Sequence, residues 1–595
     1  VLLRGFVVPL LVLLKENQSA QKVNEGFRAF LDTYGNEQVR DKQTFTLVPL
    51  REIHLYSQAS LEPKPPANMD YLMIFLAIGI ITLIIACINF INFSTAGSLT
   101  RAKEVGVRKV LGAGKPTLVG QFIGESMFLS FFAFLLALGL VSLFLPYMND
   151  LTDRQMTFSI ADDWPLMLLF FLIFPIVGLL AGSYPAFFVT RFQPVSVLKG
   201  KGYASVPKGS ILRKALITVQ FVASIVLIAG TLGIFRQLQL LRNQPLGFQK
   251  DYIINVPLFS PNLNSIFGGV DGPLRQKMNA FEEELLTNPN IEAVTLSSRA
   301  PGFNGVRRNV STDSISPADN LFLAGISVDY DFLETYDLEL VAGRDFDQSF
   351  GTDHLDAYII NEKAVELLKW KSPDDALGKP LNREGKSGKV VGVVKDFHFA
   401  SLRNEIDAFL MDISVPTFTS FSIRVRAGEM QETLDFIESK WDAFFPQKVF
   451  EYTFLDESID DLYAQERRLA RIIGYFAFLA ILISCFGLYG LVAYAAVQKT
   501  KEIGIRKVMG ASVVNILNLL SRDFVYLILL AGLIAIPISY YGLSTWLEDY
   551  PLRIGISWWL FALPLLAVLI IAMITISYRT ISAATRNPVD ALRYE

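Results

Sequence analysis

The sequence predicts an α-helical polytopic membrane protein with internally repeated halves and an α+β domain held outside the cytoplasm. Three observations carry this. Apolar residues make up 52% of the 595 positions, the mean hydropathy is +0.38, and the excess lies in long blocks. The loops between those blocks alternate in charge. One eleven-residue motif also occurs twice.

Seven blocks approach the roughly 20 residues that a helix needs to cross a bilayer. They are Tyr71–Thr95, Leu118–Leu145, Leu166–Val189, Ala215–Phe235, Ile472–Val497, Phe524–Tyr541 (extending toward Trp546) and Trp558–Tyr578. Arg101, Lys103, Arg108, Lys109 and Lys115 fill one loop against Glu104. Arg191, Lys199, Lys201, Lys208, Arg213 and Lys214 fill another with no acid, and Lys499, Lys501, Arg506 and Lys507 a third against Glu502. The alternate loops are acidic, with Asp150, Asp153, Asp162 and Asp163 in one and Glu548 and Asp549 in the other. The positive-inside rule places the basic loops in the cytoplasm. Residues 1–69 and 236–470 then lie outside, and the C-terminus inside.

Between about Gly247 and Gln465, strand-like runs (Tyr252–Val256, Ala293–Ser297, Lys389–Val394, Ser422–Val425) alternate with helix-like stretches (Leu274–Leu286, Glu362–Leu368, Glu429–Phe444). Turn signals such as Pro301-Gly302 separate them, which predicts an α+β domain. Val1–Leu14 is apolar but too short to span, and reads as a buried strand of a soluble domain whose earlier part is missing.

The chain repeats itself. Phe45–Tyr56 parallels Tyr452–Tyr463, each just before a span. Lys103-Glu-Val-Gly-Val-Arg-Lys-Val-Leu-Gly-Ala113 parallels Lys501-Glu-Ile-Gly-Ile-Arg-Lys-Val-Met-Gly-Ala511, and Cys87 and Cys485 hold equivalent places in the preceding spans. Ser183-Tyr184 and Pro194-Val195 return as Ser577-Tyr578 and Pro588-Val589. Five regions follow: 1–69, the remnant of a first outer domain; 70–200, a three-span membrane domain; 201–245, a linker and the first span of the second half; 246–470, the second outer domain; and 471–595, the second three-span domain. An intact form would carry eight spans as a parallel repeat about an axis along the membrane normal.

The repeated motif is short and amphipathic. Val105, Val107, Val110 and Leu111 allow a helix at the membrane face, Gly112 and Gly114 can end it, and Pro116 can open the next. Topology alone explains the Lys and Arg but not the near-identity of two copies. A pair of docking helices for a partner with two equivalent surfaces explains both.

These two copies resemble the signature of the MacB/FtsX-like permease family of ABC transporters. Ser327–Tyr336, Leu340–Phe346 and Val391–Phe399 resemble that family's periplasmic domain, and the two-halves-in-one-chain form resembles permeases of Bacteroidetes-type bacteria. The resemblance implies a permease subunit in the bacterial inner membrane. A cytoplasmic ABC ATPase dimer would hold the ATP and Mg and dock on Lys103, Glu104, Gly106, Arg108, Lys109 and Gly112. In the second copy it would dock on Lys501, Glu502, Gly504, Arg506, Lys507 and Gly510. It further implies ATP-driven motion of the outer domains, for export or mechanotransmission, and in some members a periplasmic adaptor or outer-membrane factor.

Other chemistry finds little support. No Gly-x-x-x-x-Gly-Lys-[Ser/Thr] phosphate loop occurs, so the chain reads as a transport subunit and not an enzyme, with no cofactor of its own. A net charge of −3 gives no case for nucleic acid. Two cysteines and three scattered histidines give no disulfide or metal pattern. The spans hold few ionisable residues, which disfavours an ion-driven secondary transporter; the exceptions, Glu125 and Asp523, are repeat-equivalent and read as snorkelling groups near helix ends. Lys395, Asp396 and His398 read as a strand end and turn. Asp460, Asp461 and Glu466–Arg468 read as solvated faces of a stalk helix. An ATP-independent membrane sensor or scaffold, or a secondary transporter, stays as the alternative.

Overall fold

The structure is a computed structural model, and it describes residues 12–15, 18–34, 45–50, 69–100, 102–152, 155–159, 162–190, 208–258, 272–302, 306–313, 315, 321–383, 386–498, 505–506 and 509–584. Helices α1 (Ala20–Tyr34), α2 (Met69–Thr100), α3 (Ala102–Val110), α4 (Lys115–Thr152), α5 (Trp164–Thr190) and α6 (Lys208–Asn243) come first. The α+β region from Ile253 to Asp461 follows. It leads into α11 (Ala464–Gln498), α12 (Val513–Leu547) and α13 (Trp559–Ala584). Among the described residues, seven helices are long and apolar enough to cross a membrane: α2, α4, α5, α6, α11, α12 and α13. Within such helices the backbone satisfies its own polar groups, the condition for crossing hydrocarbon.

The described coordinates divide into two compact units. One comprises Val1–Phe131, Leu172–Gly209 and Phe478–Leu491; the other comprises Phe132–Phe171, Ser210–Ala477 and Val492–Glu595.

In the first unit, Asn24 on α1 holds the backbone of Leu47 at both ends, accepting from its N–H at 2.6 Å and donating to its carbonyl at 3.2 Å. The expected buried strand at Val1–Leu14 is not formed where it is described. Residues 12–15 carry no strand, Val12 is half-exposed and Leu13 is 99% exposed. Residues 1–11 lie outside the described residues. Among the described residues no strand pairs with 12–15, and an extended run without a partner gains little.

The second unit contains the α+β domain. A four-stranded sheet has the order β11 (Thr453–Phe454), β1 (Ile253–Pro257), β10 (Ser420–Val425), β2 (Ile291–Ser297). Helices α7 (Gly272–Leu285) and α9 (Met430–Phe444) cover it, and Phe281, Phe421, Trp441 and Phe445 form its aromatic centre. Fully buried side chains of this size each contribute about 2–3 kcal/mol. The other sheet runs β5 (Leu340–Gly343), β8 (Lys386–Val394), β6 (Ala357–Asn361), β9 (Phe409–Asp412), β4 (Leu321–Ser327), β3 (Val306–Ser311), β7 (Pro380–Arg383). Because β7 also pairs with β8, six of these strands close into a ring, which leaves only the short β5 as a spur. Closure removes unpaired edges.

The motifs that resemble a periplasmic domain are structural. Asp329, just past β4, accepts from the Thr295 hydroxyl and the Leu296 amide on β2, so it braces one sheet against the other. Tyr336, at the end of α8 (Phe332–Tyr336), donates to Ser422 on β10 at 2.7 Å. Arg344 grips Asp353 with two nitrogens at 2.6 and 2.8 Å, the bidentate geometry a guanidinium favours. Asp396 accepts from the Lys363 amide at 2.8 Å and from Asn361 at 2.9 Å, and Lys395 pairs with Glu339. His398 donates its backbone N–H to Leu246 and is held below its ordinary value by burial. The Lys395–His398 segment follows the end of β8 as irregular chain.

A single apolar core joins this domain to the helices that lead into the membrane. Leu241 and Leu246 at the end of α6 pack with Phe397, Phe399 and Leu402 of the domain, and Tyr463 and Tyr550 belong to the same cluster. Gln237 on α6 clamps the backbone between α12 and α13, donating to the Leu552 carbonyl at 2.7 Å and accepting from the Ile554 amide at 3.0 Å. Arg242 pairs with Asp460 of α10 (Leu455–Asp461) at 3.4 Å. One expectation needs correction here. Glu466 is not on a solvated face: its side chain is 1% exposed and ion-paired with Arg403. Its neighbour Arg467 does stay partly exposed and reaches Asp460 and Asp461.

Candidate functional site

The first copy of the repeated motif forms α3. Its sequence complements the helix dipole, with Glu104 in the first turn and Arg108 and Lys109 in the last. Glu104 and Arg108 also pair across one turn at 2.7 Å. Arg108 donates to Gln121 on α4 at 2.6 Å, and Gln121 donates to Glu125 at 3.2 Å. Glu125 therefore belongs to a polar chain that begins on α3. Burial and the nearby charge of Lys115 hold Lys109 below its ordinary value.

The helix ends as the glycines predict. The Gly112 amide donates to the Lys109 carbonyl at 3.1 Å and the Ala113 amide to the Arg108 carbonyl at 2.9 Å, with Gly112 at φ +95°. This is the paired closure of a left-handed glycine cap. A side chain at Gly112 would be strained in that conformation. The second copy closes alike: Ala511 donates to the Arg506 carbonyl at 2.9 Å, and Gly510 stands at φ +89°. The next helix starts differently in the two copies. Lys115-Pro116 opens α4, whereas Ser512 caps α12 by accepting from the Asn515 amide.

Burial divides α3 into two faces. Val105 is buried against Leu118, Phe122 and Ala186. Glu104, Val107, Arg108 and Leu111 are exposed, at the i, i+3, i+4 and i+7 spacing of a single helix stripe. The apolar members stand well out, Val107 at 46% and Leu111 at 80%. Their counterparts Ile505 and Met509 are exposed to the same degree, at 47% and 81%. Both copies therefore present an apolar pair beside an arginine.

Gly106 is buried within the chain. Lys103 lies in α3. Lys501, Glu502, Gly504 and Lys507 lie outside the described residues.

A second cluster escaped the sequence. Glu282 on α7 and Asp329 and Asp331 beside α8 bring carboxylate oxygens within 4.8 Å of one another. Burial and the neighbouring acids push Glu282 up to about 8. Burial pushes Asp329 to about 7 despite its hydrogen bonds. Residues so distant in sequence give no local signal.

The fold and the twice-occurring glycine cap define a polytopic membrane protein with an internal repeat. The FtsX-like permease C-terminal family model matches it at residues 76–194 and 474–588. Its relatives are ABC transporter permeases of the MacB/FtsX type. The chain is 24% identical over 340 residues to the uncharacterized ABC transporter permease YknZ of Bacillus subtilis (strain 168), covering 53% of this chain and 83% of YknZ. It is 23% identical over 271 residues to the macrolide export ATP-binding/permease protein MacB 2 of Aeromonas hydrophila, covering 43% of this chain and only 39% of that protein. The periplasmic region of MacB from Actinobacillus actinomycetemcomitans aligns over 36% of this chain and 93% of its own, at 12% identity and a TM-score of 0.25. A permease domain from Porphyromonas gingivalis covers 34% of this chain and 90% of its own, at 17% identity and a TM-score of 0.24.

Proposed function

We propose that this permease couples ATP hydrolysis by a separate cytoplasmic ATPase dimer to motion of the domains on the outer side of the bacterial inner membrane. The observation that carries this reading is the duplicated motif with its glycine cap and its exposed Val107, Arg108 and Leu111, matched by exposed Ile505, Arg506 and Met509. An exposed apolar patch rimmed by charge marks an interaction site. Two such patches fit a partner with two equivalent clefts. ATP and Mg belong to that partner, since the chain has no phosphate loop. A periplasmic adaptor or outer-membrane factor would make the system an exporter.

The route outward follows from the shared core. Leu241, Tyr463 and Tyr550 bury with Phe397 and Leu402, so a tilt of α6 or α11 carries the α+β domain with it and is not absorbed by a loose linker. The test is Leu111→Glu combined with Met509→Glu. Both side chains are exposed, so insertion and folding should persist. The amount of ATPase that co-purifies from native membranes should fall at least tenfold, about 1.4 kcal/mol. Unchanged recovery of the ATPase would overturn the coupling assignment.

A further inference from the structure

Polar side chains inside a bilayer are costly unless paired, and they collect where helices meet. In α2, Asn89 and Asn92 are buried at 6% and 2%. Asn89 donates its amide to the backbone carbonyl of Ile483 in α11. Opposite it stands Gly487, where an added Cβ would lie 1.7 Å from Asn89 Oδ1. One turn further, a Cβ at Gly490 would lie 2.0 Å from the Phe93 ring. Two large side chains of α2 thus fill two glycine sockets of α11.

The repeat gives these contacts a second meaning. Cys87 and Cys485 are equivalent, and Asn89 and Gly487 each lie two residues beyond them. Asn92 and Gly490 each lie five residues beyond. Asn89 therefore touches its own repeat counterpart. In a two-fold arrangement a residue meets its own image only at the axis; elsewhere residue i meets a different residue j. The sequence register and the spatial contact are independent observations, and both select the same pair.

We infer that α2 and α11 cross on a local two-fold axis relating the repeats, with Asn89 as its polar clasp and Gly487 as the socket. The crossing is a fixed joint: an amide anchored to a helix backbone in a socket without a Cβ leaves no room for sliding.

Disulfide trapping in the full chain tests this, in native membranes and with Cys87→Ser and Cys485→Ser in the background. Asn89→Cys with Gly487→Cys places two Cβ atoms within bridging reach. Asn92→Cys with Gly490→Cys, the repeat-equivalent pair one turn further along the same helices, is the second pair that the inferred axis brings together, should the first disturb insertion. Ile80→Cys with Phe478→Cys is the control: each lies seven residues before its cysteine, and both are exposed, at 50% and 66%. After oxidation and proteolytic cleavage between the two helices, fragments joined by either of the first two pairs should exceed those from the control at least tenfold. Equal trapping of the control pair, or trapping at neither of the first two pairs in inserted protein, overturns the inference.

Discussion

Removing the Arg403 guanidinium should loosen the joint between the outer domain and α11 more than any surface ion pair could. Its partner Glu466 is 1% exposed, whereas Arg403 itself is 33% exposed. Arg403→Met strands a buried carboxylate, which places the cost at the upper end of the roughly 3–5 kcal/mol typical of a broken buried pair. Glu466→Gln leaves a cation that can still turn toward water, so its cost falls at or below the lower end. Replacing both, Arg403→Met with Glu466→Leu, should restore much of the loss, because an apolar pair of similar volume carries no desolvation penalty. The Leu402 amide reports the change directly: it is buried and donates to the Tyr463 hydroxyl oxygen at 2.9 Å. Native-state hydrogen exchange should show its protection falling by about a hundredfold or more in Arg403→Met. Arg307→Met provides the comparison, since the Arg307–Asp407 pair is 67% and 57% exposed and such pairs contribute about 0–1 kcal/mol. Equal loss of Leu402 protection in both variants would refute the reasoning.

The acidic cluster makes stability depend on pH. Glu282 stands near 8 when folded against an ordinary 4.5, so the folded state binds more protons between those values. Stability then falls as pH rises through that window. Glu282→Gln should raise the unfolding midpoint at pH 8.5, leave it unchanged below pH 4.5, and flatten the profile between, each relieved pKa unit giving about 1.4 kcal/mol; a parallel shift at all pH values would contradict this. The sidedness proposal can be read from Val449, which is 80% exposed. Val449→Cys, without Cys87 and Cys485, should react with an impermeant thiol reagent while the inner membrane is intact. Reaction only after that membrane is broken would invert the topology.

The seven spans were legible because a bilayer demands about twenty apolar residues in a row, a constraint that acts locally. Strands β1, β2, β8 and β10 and helices α7 and α9 were legible from alternation and period. Strand β3 was not: Val-Arg-Arg-Asn-Val-Ser reads as polar loop, and only its pairing with β4 and β7 makes it a strand. The short apolar runs of β4, β6 and β9 fit strand or helix equally until they meet one another. In the coupling motif, the glycine cap was legible because positive φ is a property of the residue itself. The burial of Gly106 was not, since it depends on what packs over it. Glu466 was misread for the same reason, its partner Arg403 arriving from a loop far earlier in the chain. Glu282 joins Asp329 and Asp331 only once α7 lies over β2.

The asparagine set into a glycine at the crossing of α2 and α11 bears on how such a permease could have arisen. When two identical chains assemble, whatever stands on the symmetry axis confronts a copy of itself. Two asparagines would compete for the same space, and two glycines would leave a hole. Joining the halves in one polypeptide lets the two positions diverge, one becoming a key and the other a lock. That divergence also labels the helices. On the inferred crossing, a half pairs less well with its own duplicate than with its partner.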